Sequence, residues 1–315
     1  MRYILRADAS PSIGAGHVMR SSVIAEELIS QGKKVVFVGE ITDLSWVKRR
    51  IYNLGFSQIL SDTNDLIPDP NHDVLILDSY TVALHDRFIR KTNWKAIVAI
   101  CDEFSPLYKS DLVIQLGFLE EAKGHFSIKT LSGPRYIPIR QTIKKNLNVK
   151  NSDVLRILVV GGGANTFDFS IAIASVLENI PITFEATIFA DLQGSRCFDS
   201  RFIFTPIGEI YDESSQTADL AFTTAGTSSF ELIAQGVPIG IGLAVKNQEQ
   251  YYTQLSKLDL AAPIGEFVNG EWDLDTKAII ELVNSKELRM KLIAKSAGLI
   301  DFGGGRRIVE EILKL

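Results

Sequence analysis

Short apolar runs alternate with longer stretches of helical periodicity along this chain. In the first half, residues 3–5, 35–38, 74–77, 96–100 and 112–114 read as strands, and each run ends at something polar or small. After the first of them Val18, Val23, Ile24, Leu28 and Ile29 recur at roughly helical spacing, which predicts an amphipathic helix. The pattern lapses over residues 141–153, where Lys and Asn replace the apolar positions, and that stretch reads as a linker. A second half restarts with an apolar strand at 154–160 running into Gly161, Gly162 and Gly163, followed by strand runs at 184–190, 202–204, 220–222 and 239–243. Strands alternating with helices predict an α/β protein of parallel sheets covered by helices on both faces. The expected organisation is two Rossmann-like domains, 1–145 and 146–315, facing each other across a central cleft. The last helix, 306–315, is expected to return to the first domain.

Composition narrows the function. The 315 residues carry 20 Lys/Arg against 16 Asp/Glu up to residue 150 and 13 against 22 beyond it, for a net charge of −5. An acidic chain with no basic block is a poor nucleic-acid binder. The longest apolar candidate, residues 232–245, is broken by Gln235, Gly236 and Pro238 and falls short of the roughly 20 residues that span a bilayer. No membrane insertion is expected. The N-terminus lacks a basic region followed by an apolar core, so export is not expected either. Cys101 and Cys197 lie in separate halves without metal-ligand spacing, which fits a reducing cytoplasm and argues against a disulfide or zinc site.

Chemistry concentrates at two glycine-rich turns. The first, Arg6-Ala-Asp8 through Gly14-Ala-Gly16-His17-Val-Met-Arg20, links a strand to a helix and delivers a histidine to the helix start. A helix N-terminus attracts negative charge and disfavours an imidazolium, so His17 reads as a neutral ring able to accept a proton, a general base. An exposed ring at a helix start is the competing reading. The second turn follows the run at 220–222 and comprises Gly226, Thr227, Ser228 and Ser229, with Glu231 close behind. Its backbone N–H groups and hydroxyls suit a diphosphate, and Glu231 suits the two hydroxyls of a ribose. Helix capping by Ser and Thr, with Glu answering the dipole, explains the same residues. It does not explain Asn247 and Gln248, two amides placed after the next strand. Neither turn completes the GxGxxG pattern of dinucleotide binding, and no Walker A lysine is present.

These motifs, with Leu77-Asp78-Ser-Tyr80, Asp102-Glu103, Ser110-Asp111-Leu112, Gly133-Pro134-x-Tyr136, Arg140 and the closing Gly303-Gly304-Gly305-Arg306-Arg307, occur in an order that covers nearly the whole chain. In that order and spacing the chain resembles the UDP-sugar hydrolases of pseudaminic acid biosynthesis and the related spore-coat polysaccharide proteins, a family similar in architecture to GT-B glycosyltransferases. The resemblance implies a GT-B-like fold whose C-terminal domain holds UDP, with the diphosphate at Gly226, Thr227, Ser228 and Ser229 and the ribose at Glu231. It implies that His17 and Tyr80, with Asp78, act at the sugar, and that a water attacks C1 without a metal. Gly14, Gly16, Arg20, Asn247 and Gln248 fall among the expected substrate and nucleotide contacts. No cofactor is expected, and the expected partner is a UDP-linked amino or deoxy sugar on the way to a nonulosonic acid or surface polysaccharide.

This chain departs from the family where Cys101-Asp102-Glu103-Phe-Ser-Pro106 replaces an acidic pair followed by a basic, histidine-containing stretch. That leaves the sugar open. Taken on their own residues, Tyr80 reads as a packing group and Asp78 as a turn-former, while His72, His85 and His125 match no motif and read as surface residues. Two other functions compete with hydrolysis: a glycosyltransferase in which His17 deprotonates an acceptor, and a nucleotide-sugar-binding protein without catalysis. The oligomeric state is not fixed by the sequence.

Overall fold

Fourteen strands and nine α-helices alternate along the described chain in the computed structural model, which describes residues 1–79, 82, 86–102, 109–118, 129–146, 154–191, 197–208 and 210–315. The first part runs β1 (Arg2–Ala7), α1 (Gly16–Ser30), β2 (Lys34–Val38), α2 (Ser45–Asn53), β3 (Gln58–Leu60), β4 (Asp73–Asp78), β5 (Ala96–Cys101), β6 (Leu112–Gln115) and β7 (Lys129–Ser132). The second runs β8 (Leu155–Val160), α3 (Phe169–Leu177), β9 (Phe184–Phe189), β10 (Phe202–Thr205), α4 (Tyr211–Thr217), β11 (Leu220–Thr224), α5 (Thr227–Gln235), β12 (Ile239–Leu243), α6 (Glu249–Lys257), β13 (Ala262–Val268), β14 (Glu271–Leu274), α7 (Thr276–Asn284), α8 (Lys286–Ser296) and α9 (Gly304–Ile312).

Two seven-stranded sheets result, with orders β3-β2-β1-β4-β5-β6-β7 and β10-β9-β8-β11-β12-β13-β14. All pairings are parallel except the β13–β14 hairpin. Strands buried on both faces need uninterrupted apolar runs, and the central ones have them: every residue of β4 is buried, as is every residue of β11. Each strand run read from the sequence is a strand here. Four further strands, β3, β7, β13 and β14, lie at or beside sheet edges and carry exposed or half-buried positions, which is why they show no continuous apolar signal.

The chain divides into two compact units. One comprises Met1–Arg140 with Asp301–Leu315, the other Gln141–Ile300. The closing segment joins the first unit through α9, where Gly304 lies against the backbone of Ile137 and Gly305 against Val23 of α1. A Cβ on Gly304 would stand 2.0 Å from the Ile137 carbonyl oxygen, so only glycine permits this approach. Arg307 pairs with Asp301 and donates to the Arg135 carbonyl at 2.8 Å, and Lys129 pairs with Glu311.

Each unit has its own core. In the first, Ile4, Val36, Val38, Leu75, Leu77 and Ile97 pack against Phe88 and Trp94, whose rings meet edge to face at 5.1 Å. In the second, Phe169, Ile188, Phe222, Ile264, Ile279 and Leu282 form the centre. Gly242 on β12 lets Phe169 and Trp272 close on the strand, since a Cβ there would meet their rings at 2.8 and 3.0 Å.

Candidate functional site

In the first unit the strand order reverses between β1 and β4, the switch point at which open α/β sheets form ligand sites beyond the carboxyl ends of their strands. The chain leaves β1 through a turn in which Gly14 (φ +82°) donates its N–H to the Ser10 carbonyl at 2.7 Å. A left-handed residue is needed there, and glycine adopts that conformation without cost. The turn starts α1 at Gly16 and sets His17, Arg20 and Ser21 on one face of its first turns, at i, i+3 and i+4. That face meets Asp78, the last residue of β4, and Asp102, the residue after β5.

The Asp78 carboxylate accepts four hydrogen bonds. Oδ1 takes His17 Nδ1 at 2.6 Å and Arg20 Nη2 at 2.7 Å, and Oδ2 takes Arg20 Nε at 2.7 Å and Ser21 Oγ at 2.9 Å. Arg20 also grips Asp102, Nη1 on Oδ1 and Nη2 on Oδ2 at 3.1 Å. Asp78 is fully buried, and His17, Arg20 and Asp102 nearly so. Burial by itself would push the Asp78 carboxyl up. The charge of Arg20, with the hydrogen bonds that Arg20 and His17 donate, outweighs it and holds the group well below the usual carboxylate range.

A carboxylate can only accept, so the 2.6 Å contact puts a ring proton on Nδ1, and in the neutral ring the lone pair is then on Nε2. Arg20 Nη2 also lies 3.3 Å from Nδ1, but both atoms are then donors and share Asp78 Oδ1 rather than bonding to each other. This orientation suits Nε2 to take a proton while Asp78 steadies the positive ring that forms.

The remaining first-unit residues divide. Asp8, one residue past β1, pairs with Arg6 and accepts from the Glu40 amide at 2.9 Å and Ser79 Oγ at 3.3 Å, tying the strand ends together. Tyr80, His85 and His125 lie outside the described residues. His72 is on the surface, hydrogen-bonded to Asp69. The sequence reading singled out neither Asp102 nor Ser21 as a site residue. The signal for Ser21 was its place next to Arg20, one turn beyond His17.

In the second unit the order reverses between β8 and β11. Beyond β8, Gly162 (φ +77°) sits beside Thr224 at the end of β11, and Asn165 Oδ1 accepts from the Ser170 amide at 3.0 Å at the start of α3. Asn165, Phe167 and Asp168 all have positive φ. The strained turn is pinned by Trp272 Nε1 on the Phe167 carbonyl at 2.8 Å and by stacking of Phe167 on Phe267 at 4.0 Å. Beyond β11, Gly226 precedes α5 and no side chain caps the helix end, so the N–H groups of Thr227 and Ser228 have no intrahelical acceptor. Ser229 is different. Its hydroxyl is buried and donates to the Gly226 carbonyl at 2.6 Å, closing the turn. Glu231 is buried one turn further along the same helix. Gln248 folds back so that its Oε1 accepts from the Ala244 amide at 3.2 Å, and its Nε2 lies 3.6 Å from where a Cβ on Gly226 would stand. Asn247 is exposed. Among the described residues no group of three or more His, Cys, Asp or Glu side chains could hold a metal ion, and no helix is long and apolar enough to cross a membrane.

Two seven-stranded, largely parallel α/β units of this kind define the GT-B fold, and solved structures of that class superpose over the whole chain. MurG of Acinetobacter baumannii matches with a TM-score of 0.68 at 13% identity, covering 100% of both chains. The calicheamicin glycosyltransferase CalG4 matches at 0.64 and 14%, covering 100% of this chain and 98% of its own. In sequence the chain is similar to the UDP-2,4-diacetamido-2,4,6-trideoxy-beta-L-altropyranose hydrolase of Campylobacter jejuni subsp. jejuni serotype O:2, 23% identical over 193 residues, 59% of this chain and 69% of that protein. No protein-family profile matches.

Proposed function

We propose that this protein hydrolyses a UDP-linked amino or deoxy sugar at its anomeric carbon, releasing UDP and the free sugar. The observation that carries the reading is the buried His17–Asp78 pair at the β1/β4 switch point. Support also comes from the similarity to the Campylobacter hydrolase. In this mechanism His17 Nε2 takes a proton from water as the water oxygen bonds to C1, and the bond from C1 to the diphosphate oxygen breaks. A positioned base of this kind contributes about 10²–10⁴ in rate. Asp78 keeps the Nδ1 proton and offsets the charge of the imidazolium. The second unit supplies the nucleotide contacts: N–H donors of Thr227 and Ser228 meet the diphosphate as it gains charge, Glu231 accepts from the ribose hydroxyls, and Gln248 and Asn247 contribute amides. Tyr80 is assigned to the sugar. Ser229, its hydroxyl already engaged, shapes the turn, and Gly14 and Gly16 let the His17 turn form.

A second reading is favoured by the structural likeness to the calicheamicin glycosyltransferase, namely transfer of the sugar to an acceptor hydroxyl that His17 deprotonates in place of water. Fold does not decide between them, because one fold hosts many reactions. Turnover of a panel of UDP-sugars in ¹⁸O-labelled water, with no acceptor, does. Hydrolysis at C1 puts the label on the anomeric oxygen of the sugar and none in UDP, and direct displacement by one water releases the inverted anomer, visible by proton NMR before mutarotation. Turnover only with an added acceptor would establish the transferase, and label in the phosphate would eliminate attack at C1.

A further inference from the structure

Resting on the reading of His17 as the base, we propose that Arg20 and Asp102 form a charge clamp that fixes Asp78, and through it the tautomer and orientation of the His17 ring. Both are then positioning residues. Family resemblance groups Arg20 with the substrate contacts, but its side chain is only 5% exposed and its guanidinium is engaged on two sides. Nε and Nη2 hold Asp78, while Nη1 and Nη2 hold Asp102. A phosphate would have to displace a buried carboxylate to reach it, and two carboxylates beside it repel such an anion.

The clamp acts on one atom in particular. Asp78 Oδ1 carries both the ring N–H and Arg20 Nη2, and Oδ2 carries Arg20 Nε and Ser21 Oγ, so each oxygen has both its lone-pair directions filled. A carboxylate held this way cannot rotate to release the ring. Asp102 holds the guanidinium from the far side, so that Arg20 stays on Asp78 rather than swinging away. The planar fork is required, because a lysine ammonium is a point charge that cannot serve two carboxylates through fixed, paired donors.

The test uses the full chain carrying Asp102→Asn, Arg20→Lys or Arg20→Ala, with folding checked by thermal melting. Two readouts are needed, steady-state hydrolysis and the ¹⁵N shifts of the His17 ring, assigned by their loss in His17→Gln. Asp102→Asn and Arg20→Lys should lower kcat about 10- to 100-fold while KM stays within about threefold, the range for loss of a residue that orients a reacting group. Both should also move the neutral ring from the Nδ1–H form toward a mixture, and guanidinium ion should restore part of kcat to Arg20→Ala. A raised KM with unchanged kcat would make Arg20 a substrate contact and overturn the clamp, as would an unchanged ring tautomer in both conservative variants. If Arg20→Ala does not fold, the isosteric Asp102→Asn decides. If the wild-type protein turns over no UDP-sugar, the proposed reaction fails, and the ring tautomer still decides the clamp.

Discussion

The two units share a strand order and differ in what they place at its reversal. At β1/β4 the first unit buries two carboxylates, a guanidinium and an imidazole that satisfy one another. At β8/β11 the second offers a glycine, small hydroxyl residues and an uncapped helix end. Charged groups that already hold one another have little capacity left for an incoming anion, but they can hold a ring rigidly. A helix N-terminus without a side-chain cap is the reverse: it carries no formal charge, orients nothing, and receives an anion with donors already in place. On the proposed reading, topology fixes where each site forms, and the residues at that point decide whether it orients a base or receives a phosphate. The last strands differ as well. β7 continues its sheet in parallel, whereas β14 turns back as a hairpin on β13 and carries Trp272, which pins the strained turn after β8.

The contrast predicts effects of different kinds in the two units. The largest is expected from His17→Ala, which should lower kcat by about 10²–10⁴ with little change in KM, because the ring acts chiefly in the transition state. Near-normal turnover in that variant would reduce the first unit to a structural charge cluster. Asp78→Asn comes next and is a stability effect. Replacing one member of a buried ion pair costs about 3–5 kcal/mol, measurable by urea denaturation at neutral pH. Its pH dependence has a fixed sign. The folded-state carboxyl lies below its unfolded value, so its contribution is present above about pH 4 and is lost as pH falls toward the folded value, and the gap between wild type and variant should narrow on acidification. A gap independent of pH would assign the loss to packing.

In the second unit Glu231→Ala should weaken UDP by about 1.5–3 kcal/mol in a calorimetric titration, the range for hydrogen bonds to a charged group. If UDP affinity is unchanged while turnover falls, the division of labour between the units is wrong. The smallest effect is expected from a chelator: with backbone N–H donors meeting the leaving group, EDTA should leave kcat/KM unaltered. Activity lost to EDTA and restored by a divalent cation would show that the helix end does not suffice.

Much of this contrast was legible in the residue pattern. The glycine turns, the histidine after the first and the hydroxyl run in the second announced themselves because turns and helix starts are local and need only a few neighbouring residues. Central strands were equally plain, since burial on both faces demands an unbroken apolar run, as in Val74-Leu-Ile-Leu77. The edge strands β3 and β7 were not, because one-sided pairing and partial exposure let residues such as Gln58 and Lys129 stand in them. Arg20 was legible as a motif residue but not in its present placement: nothing near it in the chain shows that it lies between two carboxylates.

The sequence by itself determined the class of fold, the position of its main strands along the chain, and the two glycine-rich turns, because each depends on residues within a few positions of one another. Tertiary structure alone decided that Arg20 meets Asp78, 58 residues away, and Asp102, 82 residues away. It also decided that Asp301–Leu315 completes the first unit. These contacts depend on which strands lie side by side, and strand order is set by the joint packing of the whole sheet and its helices, a property no short segment carries.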